Sequence, residues 1–323
     1  MATLATESSQ LISEEPRSVQ PGGPGWCVSL ELAWGRLRRS WLRRFRPGYV
    51  RRMTELRQGQ CEYCTHDIID SRDLKFFQNV CGYWFRPEDD RFLWRGRLGL
   101  ARAGLAEVVC TSLFFGLLCV VFGVLGGLVH WAFWLPLLLL VPFWFQLVWF
   151  FRDPERVITT DSDALVSPAD GTVTHIEEVD EPDFPGGRAF RISIFLSVFN
   201  VHVNRVPRAG RVRAVRYFRG CFLDARHGDC AVRNEQLWLD IDDAETGRLI
   251  RVKQISGALA RRIVCWLKAG DEVRTGERYG MIKFGSRTDL LLPADEMIDV
   301  KVRVGDKVQG GSTVLLMCKP ATR

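Results

Sequence analysis

Three short segments carry the side chains best able to do chemistry. Ser312 opens the last twelve residues, within Gly310-Gly311-Ser312-Thr313. Asp170 lies in Ser167-Pro168-Ala169-Asp170-Gly171-Thr172-Val173, and His202 in Phe195-Leu196-Ser197-Val198-Phe199-Asn200-Val201-His202-Val203-Asn204-Arg205-Val206-Pro207. A hydroxyl, a carboxylate and an imidazole are the groups from which nucleophile-and-base sets are built. Each also has a plainer reading. Asp-Gly between apolar strands is a common turn, and a Gly-Gly-Ser-Thr sequence alone is a flexible one. A histidine amid apolar residues is more often a hydrogen-bonded core residue. A fourth candidate, Cys61-Glu62-Tyr63-Cys64 followed by His66 and Cys81, has the start of zinc-ligand spacing but lacks a second pair. The expectation there is small, partly buried thiols and no metal.

The elements that must position these groups differ along the chain. From Val157 onward the sequence breaks into short apolar runs, such as residues 191–196, 237–241, 250–255 and 281–284, several alternating with period two. Gly, Asp and Pro punctuate them about every ten residues, the pattern of an all-β region. Gly270-Asp271-Glu272-Val273-Arg274-Thr275-Gly276 is echoed by Gly305-Asp306-Lys307-Val308-Gln309-Gly310-Gly311. Both read GDxVxxG. Paired hairpins of this kind build flattened barrels or sandwiches like those of biotinyl and lipoyl domains. The fold expected is therefore mostly β, preceded by a two-helix transmembrane hairpin.

That hairpin is read from Val108–Phe151, 44 residues without Asp, Glu, Lys or Arg. One bilayer crossing takes about 20 residues, so the stretch is long enough for two helices, 107–128 and 132–151. Gly126-Gly127 and His130-Trp131 fall at the turn, and Pro136 and Pro142 are tolerable in a membrane. Arg95, Arg97 and Arg102 before it, with Arg152 and Arg156 after it, place both ends in the cytoplasm by the positive-inside rule. Between Arg36 and Arg52 lie eight arginines, with Trp34, Leu37, Trp41 and Phe45 spaced for one helical face. Such a helix suits an anionic membrane surface better than nucleic acid. Residues 1–25 read as a disordered leader without a secretory signal. The expected organisation is 1–25 leader, 26–100 basic cytoplasmic region, 101–152 membrane hairpin and 153–323 β-rich domain. The ten cysteines follow no disulfide spacing. The net charge of +6 and a 47% hydrophobic composition exclude a fully disordered or collagen-like chain.

Five motifs, in order, resemble one family. They are Phe150-Phe151-Arg152-Asp153-Pro154-Glu155-Arg156, the Asp170 segment, the His202 segment, Gly280-Met281-Ile282-Lys283-Phe284-Gly285-Ser286-Arg287-Thr288-Asp289 and the terminal Gly-Gly-Ser-Thr. Residues 150–323 are similar to phosphatidylserine decarboxylase proenzymes of the shorter bacterial and archaeal type. The resemblance implies a self-processing, pyruvoyl-dependent enzyme. Ser312 would attack the Gly311 carbonyl, with His202 as base and Asp170 orienting it. Elimination would leave a β chain ending at Gly311 and an α chain, 312–323, that stays associated and begins with a pyruvoyl group. That carbonyl would form a Schiff base with phosphatidylserine, releasing CO2 and phosphatidylethanolamine. Arg287 or Arg205 would pair with the headgroup phosphate or carboxylate. The family's longer members carry HxxHxP here, and Arg205 replaces the second histidine, so His175 is the fallback base. The resemblance further implies a homo-oligomer at the cytoplasmic membrane with its catalytic domain facing the cytoplasm. The rival reading is a membrane-anchored biotinyl/lipoyl-like carrier module, which would need a lysine at a hairpin tip; Lys268 and Lys307 lack that setting.

Overall fold

The computed structural model describes residues 13–14, 26–61, 67–258, 262–283, 285–294 and 298–318. Most of the leader, with Cys64 and His66, lies outside the described residues. Four α-helices precede the β region: α1 (Trp26–Phe45), α2 (Pro47–Leu56), α3 (Leu105–Leu128) and α4 (Leu137–Phe150). The strands are β1 (Ala164–Val166), β2 (Gly171–Asp180), β3 (Arg188–Leu196), β4 (Val203–Arg205), β5 (Gly210–Phe218), β6 (Gln236–Asp243) and β7 (Leu249–Ser256). They continue with β8 (Arg262–Cys265), β9 (Glu272–Val273), β10 (Arg278–Lys283), β11 (Ser286–Pro293), β12 (Ile298–Val300), β13 (Lys307–Val308) and β14 (Val314–Cys318). The region after Val157 is thus mostly β, as its alternation requires.

The large antiparallel sheet runs β5-β6-β7-β11-β3-β2-β13, with β9 and residues 13–14 also on β5. Two three-stranded sheets, β4-β10-β8 and β1-β14-β12, complete the region. Period-two positions of the large sheet, Ile192, Ile194 and Leu196 on β3 and Leu237, Leu239 and Ile241 on β6, are fully buried. They share one core with Leu165, Ile263, Cys265, Ile282 and Leu316 of the small sheets. Burying side chains of this size contributes about 1.5–3 kcal/mol each.

The GDxVxxG echo is a structural duplication. β13 pairs with β2 at Val308–Gly171, and β9 pairs with β5 at Val273–Gly210. Gly305 N–H donates to Val173 O at 2.8 Å, and Gly270 N–H to Val212 O at 2.8 Å. Each motif's aspartate accepts a backbone N–H three residues before it, Arg303 for Asp306 and Lys268 for Asp271. β1-β2-β3-β11-β12-β13-β14 therefore matches β4-β5-β6-β7-β8-β9-β10. The second unit is inserted between β3 and β11 of the first. The sheet closes where β7 pairs with β11.

The apolar stretch forms two helical spans long and apolar enough to cross a membrane, Arg102–Leu128 and Trp131–Phe150, with 6% of each apolar window buried. The second opens with the Trp131–Trp134 3-10 turn, because Pro136 at the N-cap delays the start of α4 beyond residue 132. α3 and α4 pack antiparallel: Trp144 Nε1–H donates to Ser112 Oγ at 3.0 Å, and Gly126 leaves the room that the Trp134 ring fills. On α1, Trp34, Leu37, Trp41 and Phe45 are all exposed, while Arg38 and Arg39 pair with Asp70 and Asp73.

The start of α3 and the end of α4 dock on sheet β4-β10-β8. Ala101, Val108, Phe150, Phe151, Val203, Val264 and Met281 form a second core there. Phe151 packs where any Cβ at Gly104 would collide with its ring. Glu107, the last acidic residue before the charge-free stretch, pairs with Lys283 on β10, which is only 3% exposed at its side chain. Burial lowers the Lys283 pKa, and the Glu107 carboxylate opposes that. A buried ammonium left alone is costly. We expect Glu107→Ala to destabilise the chain by about 3 kcal/mol, and the double change Glu107→Leu, Lys283→Met to recover most of that. Unfolding midpoints of the wild type and these two variants in detergent micelles measure it.

Candidate active site

The Asp170 loop and the Ser312 turn are laced together through their backbones. Ser167 N–H donates to Thr313 O at 2.8 Å, and Gly311 N–H to Ser167 O at 2.8 Å. Ser167 Oγ closes its own loop by donating to Ala169 O at 2.6 Å. This brings Asp170, which is 8% exposed, to the turn. Its Oδ1 accepts Gly310 N–H at 2.7 Å, and its Oδ2 accepts Arg156 Nη2–H at 2.7 Å. Burial pushes the Asp170 carboxyl up, against the lowering pull of Gly310 N–H, Arg156 and Arg152. A carboxylate made more basic by burial, one residue from a Gly-Ser bond, is placed to take a proton from that bond's neighbourhood.

Gly311 has φ of +80°, a region L side chains rarely occupy. A Cβ there would also lie 2.8 Å from Arg205 Cδ and 3.0 Å from Ile158 Cδ1. Only glycine fits. Ser312 is half-exposed, and its hydroxyl has no hydrogen-bond partner among the described residues.

The duplication singles out Ser312. In the uncut twin, Gly276 (φ +73°) is followed by Glu277, whose O accepts Val206 N–H and whose Oε2 accepts Arg274 N–H. In the Ser312 turn the equivalent bonds are made by Thr313: its O accepts Ser167 N–H and its Oγ1 accepts Gln309 N–H. Gly276 matches Gly311 and Glu277 matches Thr313, so Ser312 is an extra residue. The following strand keeps the offset, with Val314 opposite Val166 where Arg278 lies opposite Arg205. The two turns touch, a Cβ at Gly311 coming within 3.6 Å of Gly276 Cα.

His202 is fully buried elsewhere. Its Nδ1 lies 3.0 Å from Asn200 O, its Nε2 accepts Gly285 N–H at 3.3 Å, and its ring packs on Phe150 with centroids 4.3 Å apart. The structure therefore brings Asp170 to the Gly311–Ser312 bond, and commits both ring nitrogens of His202 to the backbone. The bonds assign the proton to Nδ1. Burial depresses its pKa to about 4, helped by Arg152 and opposed by Asn200. His175 is exposed and bonds to Thr174.

Arg205 lines the turn. Its guanidinium donates to Gly276 O at 3.0 Å, Pro154 O at 3.1 Å and Asp153 Oδ1 at 3.2 Å. Arg287 is committed to Asp289 through two bonds of 2.7 and 3.1 Å and to Ser193 Oγ at 2.8 Å. Arg156, Ile158 and Gly276 escaped the sequence reading as site residues. Only the nearness of Arg156 to the motif after the apolar stretch marked it. Among the described residues no group of three or more His, Cys, Asp or Glu could hold a metal.

Two outcomes follow from this geometry. Gly311→Ala should leave the chain intact at residue 311, because both its φ and its neighbours exclude a methyl group; the mass of the purified denatured protein reads this. For His202, the unfolded chain takes up its proton near pH 6.5 and the folded one only near pH 4. Folded stability from this group is complete above 6.5 and falls as pH drops to 4, by about 3 kcal/mol at the limit. The stability gap between wild type and His202→Gln should therefore narrow from pH 7 to pH 4.5, read from unfolding midpoints.

Known proteins place this site. Residues 145–316 match the family model described as phosphatidylserine decarboxylase. A phosphatidylserine decarboxylase proenzyme from Rhodopirellula baltica is 43% identical over 242 residues, 75% of this chain and 97% of that relative. Proenzymes of the same name from Desulfotalea psychrophila and Symbiobacterium thermophilum are 48% identical over 168 residues and 47% over 196. These cover 52% and 61% of this chain, and 77% and 88% of the relatives. The first alignment is longer than residues 150–323, so similarity reaches back beyond the motifs. With its Gly-Ser turn, its Asp170 loop and these relatives, the chain belongs to the phosphatidylserine decarboxylase family.

Proposed function

We propose that this chain cuts itself between Gly311 and Ser312 and then decarboxylates phosphatidylserine to phosphatidylethanolamine and CO2 at a membrane. The observation that carries the reading is the Asp170 carboxylate bonded to Gly310 N–H beside a positive-φ Gly311 that admits no side chain and a Ser312 hydroxyl without a partner among the described residues. In processing, Ser312 Oγ attacks Gly311 C while its proton passes to a nearby base. The Gly311–Ser312 amide becomes an ester, freeing the Ser312 amine. Removal of the Ser312 α-proton expels the Gly311 carboxylate and leaves dehydroalanine. Water then replaces ammonia, and a pyruvoyl group caps residues 312–323.

Asp170 is the basic group nearest the scissile bond, with Arg156 fixing its second oxygen. His202, the expected base, is neutral at pH 7, but both its ring nitrogens are bonded to backbone atoms, so the base role falls to Asp170. The residues fit the group they would hold: only glycine is tolerated before it, and the turn is open enough for the hydroxyl to move. Once formed, the ketone condenses with the substrate amine and takes up the electron pair that CO2 leaves. The small chain would stay bound, since Leu315 and Leu316 are fully buried and β14 lies between β1 and β12.

The helical pair supports a membrane anchor, with Arg95, Arg97, Arg102 and Arg152 at its two ends on the cytoplasmic side. The exposed Trp34–Phe45 face of α1 supports contact with anionic lipid. The duplicated turns support a biotinyl/lipoyl-like hairpin arrangement, without a carrier role: Lys268 Nζ–H bonds to Cys81 O at 3.1 Å.

Purified protein should contain a chain ending at Gly311 and a 12-residue pyruvoyl-capped peptide, 312–323. Ser312→Ala should remain whole and inactive. Asp170→Asn should slow processing by about 100-fold or more. Activity surviving Ser312→Ala, or a folded wild type that stays uncut, would overturn the reading.

A further inference from the structure

The anion-binding roles expected of Arg205 and Arg287 meet guanidinium groups already holding carboxylates. Arg152 differs. It has no carboxylate partner within salt-bridge distance among the described residues, although it lies near enough to Asp170 and His202 to act on their ionisation. Its guanidinium rests on two carbonyls, donating to Trp149 O at 3.1 Å and Phe199 O at 2.6 Å. It also stacks over the Trp149 ring, 4.6 Å from the centroid. A guanidinium has five N–H donors, so these two bonds fix its plane and leave a fork to spare.

Its place along the chain gives the ligand. Arg152 follows the apolar helix α4 by two residues, at the level where headgroups would meet an anchor. Trp149 and Phe199 beside it are 45% and 65% exposed, aromatic rings suited to that level. Phe199 is in the Ser197–Asn200 turn, which leads to His202. The same arginine thus touches the membrane boundary on one side and the catalytic loops on the other.

We propose that Arg152 binds the phosphodiester of the lipid substrate, holding it at the membrane boundary while the serine amine and carboxylate reach toward residue 312. This rests on the decarboxylase reading above. The phosphate, the one charge lying between glycerol and serine, would be paired by a cation otherwise short of a counter-ion. Arg152 is then a substrate-binding residue that selects phospholipid over other serine-bearing amphiphiles.

The test compares full-length wild type, Arg152→Gln and Arg152→Lys on two substrates in mixed micelles: phosphatidylserine, and a diacyl lipid bearing serine through a linker without phosphate. Processing is checked first, by release of residues 312–323. For Arg152→Gln we expect KM for phosphatidylserine to rise roughly 10- to 100-fold with kcat changed little, while kinetics on the phosphate-free lipid stay as in wild type. Arg152→Lys, which keeps the charge and loses the fork, should show a smaller rise on phosphatidylserine alone. An unchanged KM, or an equal loss on both lipids, overturns the inference. Should Arg152→Gln fail to process, the lysine variant decides by the same two criteria. A wild type that neither cuts itself nor releases CO2 would instead sink the decarboxylase reading.

Discussion

One carboxylate holds the site together. Asp170 reaches from the loop between β1 and β2 to the amide of Gly310, and so ties the Gly311–Ser312 turn to the strands of the sheet. Its second oxygen is held by Arg156, just beyond the apolar helices. Burial, the larger effect, raises the carboxyl's pKa, while the bond to an N–H and the ion pair favour its ionised form. A group balanced like this is a better proton acceptor than an exposed aspartate and a better-placed one than a free base. The self-cleavage chemistry needs both qualities, because the same turn must be rigid enough to align the hydroxyl and loose enough to become an ester.

The duplicated fold supplies a control within the molecule. Two turns with the same glycine angles face each other, and only one carries a residue with no counterpart. In the twin, Glu277 satisfies the amide of Arg274 and the strand continues. In the Ser312 turn Thr313 takes over that duty, and Ser312 keeps a backbone bond to Gln309 O while its hydroxyl has no partner among the described residues. Asp170 also differs from its counterpart: Ala209 offers no acid, and its N–H bonds to Thr275 Oγ1 instead. The two turns therefore differ by an inserted serine and an acid, on a frame that repeats the backbone bonds to Ser167 and Val206. The frame fixes both glycines alike, the Gly311 N–H bonding to Ser167 O as that of Gly276 bonds to Val206 O.

Much of this was legible in the sequence for identifiable reasons. Period-two runs became β3, β6, β7 and β10 because each has one face in the common core. The GDxVxxG echo carried over into geometry because its glycines adopt positive φ at both copies. The charge-free stretch gave two helices, but Pro136 moved the second start, since a residue without N–H suits an N-cap better than a helix interior. The resemblance gathered Ser312, His202 and Asp170 with Asp170 orienting His202, whereas Asp170 bonds Gly310 and Arg156. The pairing of Arg156 was not legible, since arginines beside an apolar stretch look alike until their partners are located. The placement of His202 was equally hidden: its two bonds are to backbone atoms, which leave no mark in side-chain spacing.

The way the helices attach explains why a soluble-looking β frame can work on a lipid. An anchor joined by a flexible tether would raise local concentration only. Here the ends of α3 and α4 are packed into a core with β4, β8 and β10, pinned by Glu107 and Lys283. Ala101 N–H donates to Phe151 O, and Asp153 N–H to Gly99 O, both at 2.7 Å, so the two chain segments leave the helices as a paired unit. From there it is three residues to Arg156 and the Asp170 carboxylate. Phe150 at the end of α4 also packs on His202, so the apolar helices and the loops around Asp170 and His202 form one packed unit rather than a tethered pair.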